Sequence, residues 1–132
     1  MGGIVLRAAG SGDIPALARL AEDSFVAKFG HLYQPEDLSA FLEATYSPAA
    51  IAGELANPDR LYRLAERDGA LIGYCKLGLT CGWPEHARGQ RVIELKQLYT
   101  APRTTGQGIG TMLMEWVFEE VSARGTDEVQ LS

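Results

Sequence analysis

Only two cysteines and two histidines occur among the 132 residues, which leaves little material for a metal cluster. Cys75 and Cys81 have no second cysteine pair, and His31 lies far from His86 in the chain. A zinc site of the usual spacing is therefore excluded, no metal is expected, and both cysteines read as core or strand residues. No apolar run approaches the ~20 residues that span a bilayer, and no secretory apolar segment follows Met1, so the expectation is a cytoplasmic protein without a membrane partner. Basic charge is scarce as well: 12 Lys and Arg stand against 17 Asp and Glu, a net charge of −5. That balance disfavours nucleic acid, which is bound through basic surface, and suits a cationic small substrate or a basic peptide. Internal repeats and low-complexity tracts are lacking. Hydrophobic residues make up 46% of the chain, enough for one core, and residues 1–132 read as a single domain.

What is present is a clear alternation of periods. Ile4-Val5-Leu6-Arg7 reads as a first strand. Ser11 is then expected as the N-cap of a helix of about four turns, carried by Ile14, Leu17, Ala18, Ala21, Phe25 and Phe29 and stopped by Gly30. Pro35 at a first helical position, with Glu36 and Asp37 behind it, restarts a helix through Leu38, Phe41 and Leu42. Ser47-Pro48 signals a third, through Ile51 and Leu55 to Asn57-Pro58. From Arg60 the period becomes two, and Asp68-Gly69 supplies a hairpin turn into Leu71-Ile72-Gly73-Tyr74-Cys75. A loop follows at Cys81-Gly82-Trp83-Pro84, and the next strand runs from Arg91 to Thr100, closed by Pro102. Ile109, Leu113, Trp116, Val117 and Val121, broadened by Met112, give an amphipathic helix with Glu115, Glu119 and Arg124 on its wet side. Glu128-Val129-Gln130-Leu131 is a final strand, parallel to the one before it. The fold class is α/β, of the α+β kind, with a mixed, mostly antiparallel sheet.

The strand-to-helix junction carries the chemistry. Gly106-Gln107-Gly108-Ile109-Gly110 lets the chain turn tightly and brings backbone N–H groups close to an anion, while the helix that opens at Ile109 adds its positive dipole end. The spacing is not that of a dinucleotide-binding loop, and no Lys-Ser/Thr follows Gly110 as a nucleoside triphosphate loop requires. Two readings of the glycines stand on these residues alone: an anion cradle, or a tight turn with no ligand.

Glu94-Leu95-Lys96-Gln97-Leu98-Tyr99-Thr100, then Pro102, then Thr105 through Leu113, resembles the acetyl-CoA motif of the GNAT superfamily of N-acetyltransferases. Upstream, Phe25, Phe29-Gly30-His31-Leu32-Tyr33, Leu38, Phe41-Leu42, Tyr46-Ser47, Glu54-Leu55-Ala56 and Gly73-Tyr74 are similar to the PaiA-type polyamine acetyltransferases. The resemblance implies the acyl-CoA N-acyltransferase fold, acetyl-CoA as cosubstrate and a small-molecule primary amine, such as spermidine or spermine, as acceptor. It also implies that amides from Gly106, Gln107, Gly108, Ile109, Gly110 and Thr111 bind the pyrophosphate, and that the backbone of Leu98, Tyr99 and Thr100 pairs with the pantetheine arm as an added strand would. The N–H of Leu98 is implied as the oxyanion donor. Thr105 departs from the family, which usually has Arg or Gln there; Arg103 either substitutes for that charge or is a solvated loop cation.

Acetyl transfer to an amine needs a base, because an ammonium is no nucleophile. Glu94 stands where many members of the superfamily place a catalytic glutamate, and its four-residue separation from Leu98 is expected to keep both on one face of the strand. Its other reading is a carboxylate paired with a neighbouring Arg or Lys. Phe25, Phe29, His31, Leu32, Tyr33 and Tyr46 are candidates to line an acceptor slot, with Glu22, Asp23, Glu36, Asp37 or Glu43 pairing with a second amine. Taken singly, aromatics at helical spacing also suit a core, and carboxylates near helix starts also answer the dipole; His31, whose ordinary titration range near ~6.5 would suit an acid or base, reads rather as a helix-end residue packed on Tyr33.

The resemblance further implies a helix and two strands beyond Ser132, including an Asn and a Tyr that contact CoA and protonate the leaving thiolate. The expectation is a C-terminally incomplete fold, or one whose open edge is covered by another chain, as in a homodimer. Two other functions follow from the same text: acetylation of a protein or peptide amine, and a non-catalytic CoA-binding or dimerising module.

Overall fold

In a computed structural model, residues 3–79, 92–101, 108–125 and 128–131 are described. Five strands form one sheet in chain order: β1 (Val5–Ala8), β2 (Arg60–Arg67), β3 (Ala70–Gly78), β4 (Val92–Thr100) and β5 (Glu128–Leu131). The first four pair antiparallel, and β4 pairs β5 in parallel. Helices α1 (Ile14–Phe29), α2 (Pro35–Tyr46) and α3 (Pro48–Ala56) cover one face, and α4 (Ile109–Ala123) covers the other. Among the described residues no helix is long and apolar enough to cross a membrane.

Local chemistry accounts for most of the boundaries. Pro35 and Pro48 open α2 and α3, where the missing N–H would have had no helical acceptor, and Ser47 Oγ accepts the Ala50 N–H at 3.2 Å. Asp68 and Gly69 take φ of 53° and 81°, the left-handed pair that a two-residue hairpin turn requires. The start of α1 differs from expectation. Ser11 opens a 3-10 turn rather than capping the helix, and the Asp13 carboxylate accepts the Gly10 N–H at 2.8 Å. Arg7 of β1 grips the same carboxylate through two nitrogens at 2.8 and 2.7 Å and reaches Glu66 of β2 at 3.0 Å. The Arg7 guanidinium holds the Asp13 carboxyl down at about 2. One ion triad thus ties the first strand, the second strand and the helix that follows.

Two cores result, one per face of the sheet. Leu17, Ala21, Phe25, Ile51, Tyr62, Leu64 and Tyr74 pack between α1–α3 and the sheet, and Cys75, Leu77, Ile93, Ile109, Leu113 and Val117 pack beneath α4. Burial pushes the Cys75 thiol up to about 12, so it behaves as a small apolar side chain; Cys81 lies outside the described residues.

Gly73 sets how closely α4 approaches the sheet. A Cβ there would stand 2.9 Å from Ile109 Cγ2 and 3.1 Å from the Tyr99 carbonyl oxygen, so the backbone as well as a side chain would have to give. Gly73→Ala is expected to cost about 1–3 kcal/mol by overpacking, lowering Tm by several degrees. A calorimetric melt checks it; a variant as stable as the parent would overturn this account of the packing.

Candidate active site

The site is organised by an irregularity in β4. Gln97 pairs with Lys76 and Leu95 with Leu77, which leaves Lys96 as an extra residue with no partner on β3. Such a bulge reverses the alternation of side chains. Ile93, Leu95 and Leu98 face α4, whereas Gln97 and Tyr99 face α1–α3. Glu94, between Ile93 and Leu95, points to the α1–α3 side, and Lys96 shares that side, its stem lying over Gly78. Glu94 and Leu98 are therefore on opposite faces. The four-residue rule failed because it assumes an unbroken strand.

Glu94 is 4% exposed, and its Oε1 lies 3.4 Å from Lys96 Nζ. Both readings of this carboxylate meet in one place: it is desolvated as a base is, and it has a lysine beside it. Around the pair run further charges. Glu54 of α3 accepts from Lys76 at 2.7 Å and lies 3.7 Å from Arg60, which holds Asp59 at 2.6 Å. Burial pushes the Glu54 carboxyl up, but Lys76, Arg60 and Lys96 together hold it below the usual range.

A second polar group lies further along β4. The Tyr74 hydroxyl donates to Gln97 Oε1 at 2.7 Å, Gln97 Nε2 donates to the Tyr46 hydroxyl at 3.3 Å, and the Tyr46 and Tyr99 hydroxyls share a 3.4 Å contact. Burial drives the Tyr46 and Tyr74 phenols up, so both stay neutral. Lys28 of α1 stands 5.8 Å from the centre of the Tyr99 ring. Gln97, Tyr74 and Lys96 lie in the segments that carry the family resemblance but were given no role from the sequence, although the adjacent polar pair Lys96-Gln97 inside an alternating strand marks the bulge.

The acceptor-side candidates divide. Tyr46 is a core residue, 4% exposed, packed against Phe25 and Phe41, and so does not line an open slot; Phe25 is buried with it. Phe29 and Tyr33 are 38% and 37% exposed and pack against Phe25, which places them at the outer rim of that aromatic cluster. His31 and Leu32 lie in a 3-10 turn between α1 and α2, both exposed. Glu22, Asp23, Glu36, Asp37 and Glu43 are exposed on α1 and α2.

On the cofactor side, Arg103, Thr105, Gly106 and Gln107 lie outside the described residues. Gly108, Ile109, Gly110 and Thr111 form the mouth of α4. Gly108 takes φ 78°, the left-handed region that favours glycine, and a Cβ there would meet nothing within 4 Å. The first helical hydrogen bond runs from the Met112 N–H to the Gly108 carbonyl at 3.0 Å. Among the described residues no side chain caps the helix, and its first turn holds no acidic residue, so the dipole at the N–H groups of Ile109, Gly110 and Thr111 is not answered by any of them. These features fit a bound diphosphate. Opposite them, the parallel pairing described for β4 runs from Val92↔Glu128 to Leu95↔Leu131. From Lys96 to Thr100 the edge of β4 has no strand beside it among the described residues, and the Thr100 carbonyl already accepts one hydrogen bond, from Ser24 Oγ at 3.3 Å.

Known proteins share both sequence and architecture with this chain. An uncharacterised N-acetyltransferase encoded in the pepI 3′ region of Lactobacillus delbrueckii subsp. lactis is 28% identical over 112 residues. That alignment takes in 82% of this chain and 62% of the Lactobacillus protein. An uncharacterised N-acetyltransferase of Mycobacterium tuberculosis is 31% identical over 120 residues, 90% of this chain and 71% of that protein. Among solved structures, the PaiA N-acetyltransferase of Thermoplasma acidophilum in complex with coenzyme A superposes with a TM-score of 0.82 at 24% identity, covering 98% of this chain and 78% of that one. Residues 15–132 match the profile of the acetyltransferase (GNAT) family. By that match, and by a sheet of four antiparallel strands and one parallel strand with its helices on both faces, the chain belongs to the acetyltransferase (GNAT) family.

Proposed function

We propose that this chain transfers an acetyl group from acetyl-CoA to a primary amine, with Glu94 as general base. The observation that carries the proposal is the juxtaposition on β4: a desolvated carboxylate, then a bulge, then a strand edge that no described strand pairs, near the mouth of α4, which no described side chain caps. Acetyl-CoA, when bound, supplies the acyl group as an activated thioester. Amides at Gly108, Ile109, Gly110 and Thr111 hold its diphosphate, with Arg103, Thr105, Gly106 and Gln107 continuing the cradle. The edge from Leu98 to Thr100 pairs with the pantetheine arm, and the Leu98 N–H stabilises the oxygen on which negative charge develops.

Glu94 removes a proton from the acceptor's ammonium, directly or through one water. The freed nitrogen lone pair forms a bond to the acetyl carbonyl carbon, the carbon–sulfur bond breaks, and its electron pair leaves with the thiolate. The second proton lost from nitrogen is the one the thiolate finally gains. Two carboxylic oxygens in a dry setting suit the first step, because a base works best when its partner is not already satisfied by bulk water.

The acceptor we propose is a polyamine such as spermidine or spermine. Five exposed carboxylates on α1 and α2, with the Phe29 and Tyr33 rings at the rim, supply counter-charges and an apolar track for a long polycation, and a PaiA enzyme is among the structural neighbours. Turnover of acetyl-CoA is expected to be at least about tenfold faster with spermidine than with a panel of lysine-containing peptides, measured by thiol release. A preference for peptides would replace the acceptor; binding of coenzyme A without turnover of any amine would make the chain a non-catalytic module.

A further inference from the structure

We propose that Lys96 is a positioning residue of the acceptor site: its ammonium, held against Glu94, keeps the reacting nitrogen from resting there as a stable ion pair. The proposal rests on the reading of Glu94 as the base and adds to it a residue that destabilises the resting ion pair between that carboxylate and the acceptor's ammonium. Lys96 owes its place to two features of the backbone. Ordinary alternation along β4 puts it on the same side as Glu94, the bulge leaves it without a partner on β3, and Gly78 across the ladder makes room, since a Cβ there would stand 3.0 Å from Lys96 Cε and 3.5 Å from Cδ. The stem therefore lies over a glycine, and the ammonium ends 3.4 Å from Glu94 Oε1.

The surrounding charges explain why Lys96 goes to Glu94. Among the described residues, Lys76 and Arg60 are engaged by Glu54 and Asp59, and the cation against Glu94 is Lys96. A carboxylate 4% exposed has lost most of its hydration and would otherwise bind any ammonium tightly. An acceptor held that way would rest in its unreactive, protonated form. Lys96 occupies that attraction and repels a second positive charge, so the nitrogen that settles at Glu94 is the one that gives up its proton. A cation beside an amine favours the neutral amine for the same reason. In a polyamine the effect falls on the nitrogen at Glu94 alone, because the distal nitrogens lie toward the carboxylates of α1 and α2.

The test is equilibrium binding of butylamine and of butanol to the full chain with coenzyme A present, by calorimetry near neutral pH, alongside steady-state rates. Lys96→Met keeps the stem and removes the charge. It is expected to bind butylamine about tenfold more tightly, to bind butanol as the parent does, and to lower KM for the amine while lowering kcat by a similar factor. Lys96→Arg should restore both constants, and Gly78→Ala, which pushes the stem aside, should move them part of the way in the direction of Lys96→Met. The gain in butylamine affinity should vanish in Glu94→Gln/Lys96→Met. Unchanged butylamine binding in Lys96→Met, no amine binding by any variant, or a gain that persists without Glu94 would overturn the proposal. A parent-like rate in Glu94→Gln would instead remove the base assignment, so the two failures are told apart.

Discussion

Replacing Gly108 with Asp is expected to weaken coenzyme A binding by more than about 100-fold while leaving the fold in place. Gly108 precedes α4 with φ 78°, and its missing Cβ faces open space. Asp is among the few residues that enter this backbone region at small cost, and a carboxylate at a helix N-terminus answers the dipole favourably. The substitution is thus tolerated by the protein on the same physical grounds that make it hostile to the ligand. Its charge would sit where a phosphate must approach the N–H groups of Ile109, Gly110 and Thr111. At ~4 Å and an effective dielectric of ~20 the repulsion is about 4 kcal/mol, enough for the predicted loss even after screening. Gly108→Ala separates charge from strain: it places a Cβ in the same unfavourable φ, costing about 1–3 kcal/mol of stability, yet leaves the anion site open. Calorimetric titration with coenzyme A and a thermal melt distinguish the two. Unchanged affinity in Gly108→Asp would mean that the mouth of α4 does not hold the phosphates.

This prediction could be framed from sequence because the relevant physics is local. Asp68-Gly69, Pro35, Ser47-Pro48 and the stripe from Ile109 to Val117 each announce their structure within a few residues, and the helices and hairpin lie where those signals put them. The parallel pairing of β5 with β4 was legible too, since a helix between two strands returns the chain in the same direction. What failed was parity along β4. Lys96-Gln97 interrupts the apolar and polar alternation, and the bulge that absorbs the interruption turns Glu94 away from Leu98. The Tyr74, Gln97, Tyr46 and Tyr99 hydrogen bonds were invisible for another reason: they join α2, β3 and β4 across separations of 23, 51 and 53 residues, and no single sequence encodes which distant polar side chains meet. Tyr46 illustrates the cost. Read by helical spacing it suited either a slot or a core, and only the packing of α2 on Phe25 makes it core.

Glu94→Gln tests the chemistry itself, and the expected result is a fall in kcat of about 10²–10⁴-fold at neutral pH, the usual contribution of a general base, with coenzyme A affinity preserved because Glu94 lies on the face opposite Leu98 and Ile109. The amide keeps the shape and can still accept a hydrogen bond from Lys96, so the 3.4 Å contact gives no reason for the strand to move. Lys96 is 28% exposed at its side chain and can hydrate its ammonium once the partner charge is gone. The loss should therefore be chemical rather than structural. The pH profile supplies the decisive sign. With the base removed, the reaction depends on acceptor that has already lost its proton, a fraction that rises tenfold per pH unit until the ordinary amine range near ~10.4 is reached. The variant's rate should climb steeply over that interval while the parent's levels off earlier, so the two curves converge in alkali. A profile parallel to the parent's, merely scaled down, would indicate lost positioning instead of lost proton transfer. A rate equal to the parent's at neutral pH would place the base elsewhere on the α1–α3 side of the sheet.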